Sequence, residues 1–482
     1  MDALDLARWQ FAITTVYHFW FVPVTIGMSA IVAGFHTAYV RTHDPKLYKL
    51  TKFFAKLFVI NFALGLVTGI VQEFQFGMNW SDYSRYVGDI FGAPLAFEAL
   101  LAFFLESTFL GLWLFGWGKL PEKVHAATMW IVHIGTVLSA YFILAANSFM
   151  QHPVGARYNP QTGRAELVDF VAVLTNKVQL VTFPHVIFAA YMTGGAMVMA
   201  VALWHLRKGS ATDLTPAYRK AVRVGAIVTL VASLGVMISG DLQGKIMTEV
   251  QPMKMAAAEA HYETSSHAAF SVLSIGTLDG SQATRLIEIP GLLSYLGKGD
   301  FDAQILGIND LQKQYQEQYG GNRLTQDARS SYTPNIPGSY WTFRLMIGAG
   351  FASMATAILA LWATRKKAMT DPSGAMRARW WHWMIVAAPL LPIAANSFGW
   401  IFTEIGRQPW IVFGLMTTQH GVSPAVSAGE VLTSMIVYTL VYAAAAVVEV
   451  KLFLHYIRLG AESVPDPDHH DRGGDAPLVY AY

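Results

Sequence analysis

Residues 91–117 read FGAPLAFEALLAFFLESTFLGLWLFGW. A membrane span needs about 20 predominantly apolar residues, and this run exceeds that. It nevertheless carries two acids, Glu98 and Glu106. A charged group at mid-membrane costs roughly 2.5–3.5 kcal/mol on insertion scales, so each acid is a functional candidate.

The rest of the chain agrees with a membrane setting. Of 482 residues, 54% are hydrophobic and 14% charged, against about 25% charged in soluble domains. Mean hydropathy is +0.37. A net charge of +2 gives no basis for a nucleic-acid partner. The absence of cysteine excludes disulfides, iron–sulfur clusters, thioether-linked haem and Cys-ligated copper. The start, MDALDLARWQ, lacks a basic region and a small-residue cleavage site, so no removed signal peptide is expected.

Nine apolar runs are long enough to span: roughly 12–39, 53–75, 92–117, 125–149, 180–206, 221–244, 340–364, 382–403 and 429–457. The expected fold is an all-α integral membrane protein of nine transmembrane helices. Its parts are residues 1–246 (spans 1–6), a large extramembrane loop at 247–339, residues 340–460 (spans 7–9), and a disordered tail at 461–482 that includes His469 and His470. Lys and Arg concentrate in the loops after spans 1, 3, 5 and 7, for example Arg41, Lys119, Arg207, Lys366, Lys367 and Arg377. The positive-inside rule then puts the N-terminus and the 247–339 loop outside and the C-terminus inside.

The candidate ionisable groups of the spans are His18, His36, Glu98, Glu106, His133, His185, Arg344 and Glu404. His18, Glu98, His185 and Met346 fall in the first turns of spans running inward, and Glu404 at the outer end of span 8. Five groups on five spans thus share the outer third of the membrane. His36 and His133 sit deeper, without evident companions, and read as interhelical hydrogen-bonding residues. His185 and Met346 could form a low-spin haem pair, with Arg344 beside a propionate.

Several strings together resemble subunit I of the cytochrome bd quinol oxidases: LARWQFAITTVYHFWFVPVTIGM (6–28), FGAPLAFEALLAFFLEST (91–108), VTFPHV (181–186), FRLM (343–346) and GWIFTEIGRQPW (399–410). The resemblance implies quinol oxidation coupled to reduction of dioxygen to water, with three haems and no copper, in a bacterial plasma membrane. It implies His185 and Met346 as ligands of haem b558. His18 would ligate haem d and Glu404 haem b595, although the two high-spin haems exchange places within the family. Arg344, Trp400 and Arg407 would line the haems. KMAAAE (254–259) looks like the quinol motif, giving Lys254 and Glu259, in a short form of the family's loop. A second membrane subunit is the implied partner, with small accessory subunits in some members. Ubiquinol and menaquinol remain alternatives.

Protons drawn from the inside would need relays across the apolar layer. On an ideal helix Glu98 and Glu106 lie about 12 Å apart along the axis and about 80° apart around it. Waters with Ser107, Thr108 and Ser139 could bridge them. Two other readings stay open on the residues alone: a haem-b electron-transfer subunit without oxygen chemistry, and an ion or solute transporter.

Overall fold

The computed structural model describes residues 2–208, 213–326, 331–365 and 378–467. Among them, nine helices are long and apolar enough to cross a membrane. Span 1 is Ala3–Thr42, span 2 Pro45–Met78, span 3 Ser81–Phe115, span 4 Glu122–Gln151 and span 5 Lys177–Lys208. Span 6 is Thr215–Val250, span 7 Ile336–Ala363, span 8 Arg379–Ile405 and span 9 Ala428–Leu459. Several overrun the expected bounds, because apolar windows miss the polar first turns that caps stabilise. Asp2 accepts from Asp5 N at 2.8 Å. Asn335 accepts from Gly338 N at 2.7 Å, just before Pro337. Ser427 and Glu430 form a reciprocal capping box at the start of span 9.

Spans 1 and 5 make the centre. A Cβ on Gly27 would lie 2.8 Å from Gly194 Cα, so the two backbones touch and neither position admits a side chain. Span 5 is the most enclosed helix and span 9 the least. The apolar core runs through spans 1, 2, 5 and 6 toward one end of the bundle.

Contacts fix which helix ends share a face. Asn79, closing span 2, donates to Gln10 at 2.6 Å. Gln251, closing span 6, donates to the Gln151 carbonyl at the end of span 4. Arg8 reaches Gln408 beyond span 8. The 251–335 connection lies on that same face. It holds more order than its polar, Gly- and Pro-punctuated sequence suggests. A short helix, Pro252–Ala258, leads to an antiparallel hairpin, whose strands Phe270–Gly276 and Ala283–Ile289 pair Phe270 with Ile289 and Gly276 with Ala283. Helices Leu292–Lys298 and Ile308–Tyr319 follow.

The tail expectation needs correction at its start. Ala461–Ser463 form a 3₁₀ turn, the Tyr218 hydroxyl donates to Glu462 at 2.6 Å, and Lys49 pairs with Asp466 at 2.9 Å. His469, His470, Lys366, Lys367 and Arg377 lie outside the described residues.

Candidate functional site

Two histidines are held in the same way. His18 Nδ1 is 2.9 Å from the Thr68 hydroxyl, and His185 Nδ1 is 3.1 Å from the Ser239 hydroxyl. Each hydroxyl is followed by a glycine facing the ring. A Cβ on Gly69 would lie 3.2 Å from His18 Cε1, and one on Gly240 3.3 Å from His185 Cε1. Among the described residues neither Nε2 has a hydrogen-bond partner. Fixing one ring nitrogen while leaving the other bare is how a ligating imidazole is oriented.

The other two intramembrane histidines differ. His133 is engaged at both nitrogens, by Ser29 at 2.9 Å and Tyr191 at 3.0 Å. His36 accepts from Trp113 Nε1 at 2.9 Å. It does have companions, contrary to the expectation from sequence: its ring lies 4.7 Å from Trp117 and 4.9 Å from His125. His125 is buried there.

Met346 lies where a Cβ on Gly399 would be 3.1 Å from its sulfur, so span 8 leaves space for the thioether. Trp400 packs edge-on against Phe19, beside His18, at 4.8 Å. Glu404 accepts from Asn147 at 3.2 Å and pairs with Arg407 at 2.5 Å. Arg407 is buried, and its Nη1 has no partner among the described residues.

Lys254 and Glu259 are both buried, at opposite ends of the short helix. Lys254 donates to the Thr403 carbonyl at 3.1 Å and to Gln151 at 3.3 Å, alongside Glu404 and Arg407. Burial, reinforced by the Arg407 charge, lowers its ammonium to about 7. Glu259 turns the other way and pairs with Arg344 at 2.8 Å. Arg344 also donates to the Ala258 and Ser271 carbonyls and lies 3.5 Å from the Tyr340 ring centroid. An arginine expected beside a haem therefore also fastens the loop to span 7. Burial raises the Glu259 carboxyl to about 7, against the opposing pull of Arg344. Its Oε2 holds Arg344 while Oε1 is buried without a partner among the described residues.

On span 3 the ideal-helix geometry fails. Glu98–Phe103 form a π turn, flanked by α-helix on both sides. Such a turn shifts the face of everything after it, and occurs often at functional sites. Glu98 accepts from the Ser139 hydroxyl at 2.7 Å. Glu106 is buried against span 4, where a Cβ on Gly135 would lie 2.8 Å from its Cγ. Glu98 is an electrostatic neighbour of both Glu106 and Glu73. Ser107 departs from the expected path: it is exposed and donates to its own helix at Phe103 O, 2.9 Å away. Thr108 is exposed too.

The family model for cytochrome bd terminal oxidase subunit I matches residues 6–461. The chain belongs to this family. It is 44% identical to cytochrome bd ubiquinol oxidase subunit 1 of Bacillus subtilis (strain 168), over 98% of this chain and 96% of that one. It is 35% identical to cytochrome bd-II ubiquinol oxidase subunit 1 of Escherichia coli (strain K12), over 96% and 98%. The solved bd oxidase structure from Geobacillus thermodenitrificans superposes with a TM-score of 0.82 at 28% identity, covering 95% of this chain and 99% of that one. The protein is a multi-pass protein of the bacterial plasma membrane.

A bd oxidase subunit I implies haem, and the residues fit it. Two imidazoles present a bare Nε2, a thioether faces a glycine, and Arg407 has a buried donor left over for an anionic group such as a propionate. Sequence reading missed the partners Thr68, Ser239 and Asn147, and the intramembrane acids Glu73 and Glu449. The TG and SG pairs at 68–69 and 239–240 were the available signal. Glu73 lies inside the expected 53–75 run, in its polar last turns beside Gln72 and Gln75, and was passed over there.

Proposed function

We propose that this chain is the haem-bearing subunit of a quinol:oxygen oxidoreductase that works as a heterodimer with a second membrane subunit. Quinol is oxidised at the loop between spans 6 and 7, on the outer face, and dioxygen is reduced to water with protons from the inside. Small accessory subunits join this pair in some family members. The observation that carries the quinol site is Glu259. Its Oε2 is held by Arg344, and its Oε1 is an unpaired buried acceptor. A buried polar atom without a partner costs about 1–3 kcal/mol. A quinol hydroxyl would satisfy it and deliver its proton there. Lys254, on the far side of the same short helix, faces Gln151 and the Glu404–Arg407 pair, and its positive charge would favour the anionic form of a quinol that has given up its proton.

His185 and Met346 would hold haem b558, His18 haem d and Glu404 haem b595, with Arg344, Trp400 and Arg407 around them. Bound there, the haems supply one-electron carriers and an oxygen-binding iron, without copper. The chain's own part is to hold and move protons. Glu106 receives them in the bundle interior, and Glu98, oriented by Ser139, passes them toward the outer third. Ser107 and Thr108 are dropped from this path because they face outward.

A reduced-minus-oxidised optical spectrum of the purified complex tests the reading. A long-wavelength chlorin band beside low-spin b-type bands is the expected result. Low-spin bands alone would mean electron transfer without oxygen chemistry. No haem bands would favour a transporter built on the buried acids.

A further inference from the structure

The loop between spans 6 and 7 exposes apolar side chains where a watery loop would not. Val272, Ile275, Leu278, Leu286, Ile287 and Ile289 are all on the hairpin 270–289 or its turn. Leu278 at the tip is 95% exposed, Ile275 61% and Leu286 54%. Ile275 pairs across the ladder with Thr284, and Leu286 is two residues further along that strand. The ladder slips at Leu286, between the Leu273 and Ser274 pairings, but exposure still alternates there: Thr284 and Leu286 are exposed and Arg285 between them is half-buried, so Leu286 lies on the open side with Ile275.

The contacts of the hairpin fix its height. Near its root, the Ser271 hydroxyl meets the Tyr340 hydroxyl at 2.9 Å, and the Ser271 carbonyl accepts from Arg344. At its turn, a Cβ on Gly280 would lie 3.1 Å from Ile336 and Pro337. Both ends thus touch the first turns of span 7. Span 7 has 28 residues. That is about 42 Å of helix, of which the hydrocarbon layer takes about 30 Å. With the helix centred, apolar lipid begins about 6 Å in, close to Tyr340. Side chains tilt toward the helix start, so Ser271 sits at that edge and not deep below it. A seven-residue strand is about 23 Å long, yet root and tip are separated by at most eight residues, about 12 Å, along the helix. The hairpin therefore lies across the start of span 7, leaning along the membrane plane. Trp341 and Leu345, both exposed on span 7, continue the apolar surface at the same height.

We propose that this hairpin is an interfacial membrane element, with Ile275 and Leu286 seated at the headgroup–acyl boundary of the leaflet on the loop side. Its root, Ser271, is held by the same Arg344 that holds Glu259. A lipid-soluble substrate would therefore meet this collar before reaching the carboxyl. The inference rests on the membrane setting and stands or falls separately from the quinol site.

The chain has no cysteine, so single Cys substitutions carry a spin label at one place in this subunit. Ile275→Cys, Leu286→Cys and, as an aqueous reference, Glu317→Cys would be labelled in the intact complex in nanodiscs and read by power-saturation EPR. The expected result is that labels at 275 and 286 collide more with dioxygen than with a water-soluble nickel chelate, while the label at 317 does the reverse. Nickel accessibility at 275 and 286 equal to that at 317 would overturn the proposal. So would shielding from both relaxers, which would mean that a protein surface covers the hairpin.

Discussion

His185 Nδ1 lies 3.1 Å from the Ser239 hydroxyl, and the next residue, Gly240, gives the ring its room. Thr68 and Gly69 repeat the device at His18. The two arrangements predict separable defects. Ser239→Ala should keep the haem at His185 but loosen the ring by about 1 kcal/mol, one hydrogen bond, which redox titration would read as a shifted midpoint. Gly240→Leu should remove the low-spin bands while leaving the other haem signals. A native spectrum in Gly240→Leu would remove His185 from the ligand set.

Met346→Leu replaces the thioether with a hydrocarbon of similar volume. The low-spin haem should become high-spin or be lost, with the other haems retained. Gly399→Val should act in the same direction from the opposite helix, because its side chain would displace the Met346 sulfur. Low-temperature EPR and difference spectra separate the spin states.

Glu259 sets a pH dependence. Its carboxyl is raised to about 7, so it keeps its proton well above the ordinary carboxylate range. The proton-accepting carboxylate forms only as pH rises through about 7, so quinol turnover should climb across that interval. In Glu259→Gln the climb should disappear and the rate fall, with oxygen consumption from artificial donors preserved. A variant that keeps the same pH limb would place the acceptor elsewhere.

Arg344 and Glu259 form a buried pair, and removing one partner of such a pair costs about 3–5 kcal/mol. Arg344→Gln should therefore free the loop for cleavage by added protease and lower the thermal midpoint. Combining it with Glu259→Gln should recover part of that loss, since no uncompensated charge remains. Equal losses in the single and double variants would count against the pair as the fastening.

Glu106→Gln keeps shape and much of the hydrogen bonding but cannot ionise. A relay role predicts a folded, haem-loaded protein whose proton uptake from the inner side slows by about 100-fold or more. A pH dye enclosed in proteoliposomes reads that rate. Unchanged uptake with lowered thermal stability would mean that the acid only ties spans 3 and 4 together.

The nine spans were legible because burial in lipid demands long apolar runs, whatever the tertiary contacts. His18, His185, Met346 and Glu404 became candidates through short strings such as VTFPHV and GWIFTEIGRQPW. Their partners were not. Thr68 and Ser239 look like ordinary small polar residues in a helix, and only the packing of spans 2 and 6 against spans 1 and 5 turns them toward an imidazole. The meeting of Arg344 with Glu259 was hidden because it joins residues 85 apart through the fold of the loop. Ser107 misled because sequence adjacency to Glu106 puts it on a different side of the helix.

The π turn at Glu98–Phe103 is a place where span 3 takes up one residue more than an α-helix would hold. Deleting one residue between the two acids would let span 3 close into uninterrupted α-helix, at no evident cost to its own hydrogen bonds. Six residues of π turn wind about as far as five of α-helix, so everything after the deletion would keep its facing. Glu106 would stay seated against Gly135. A relative one residue shorter there would look misaligned between its two acids, yet would bring both to the same places.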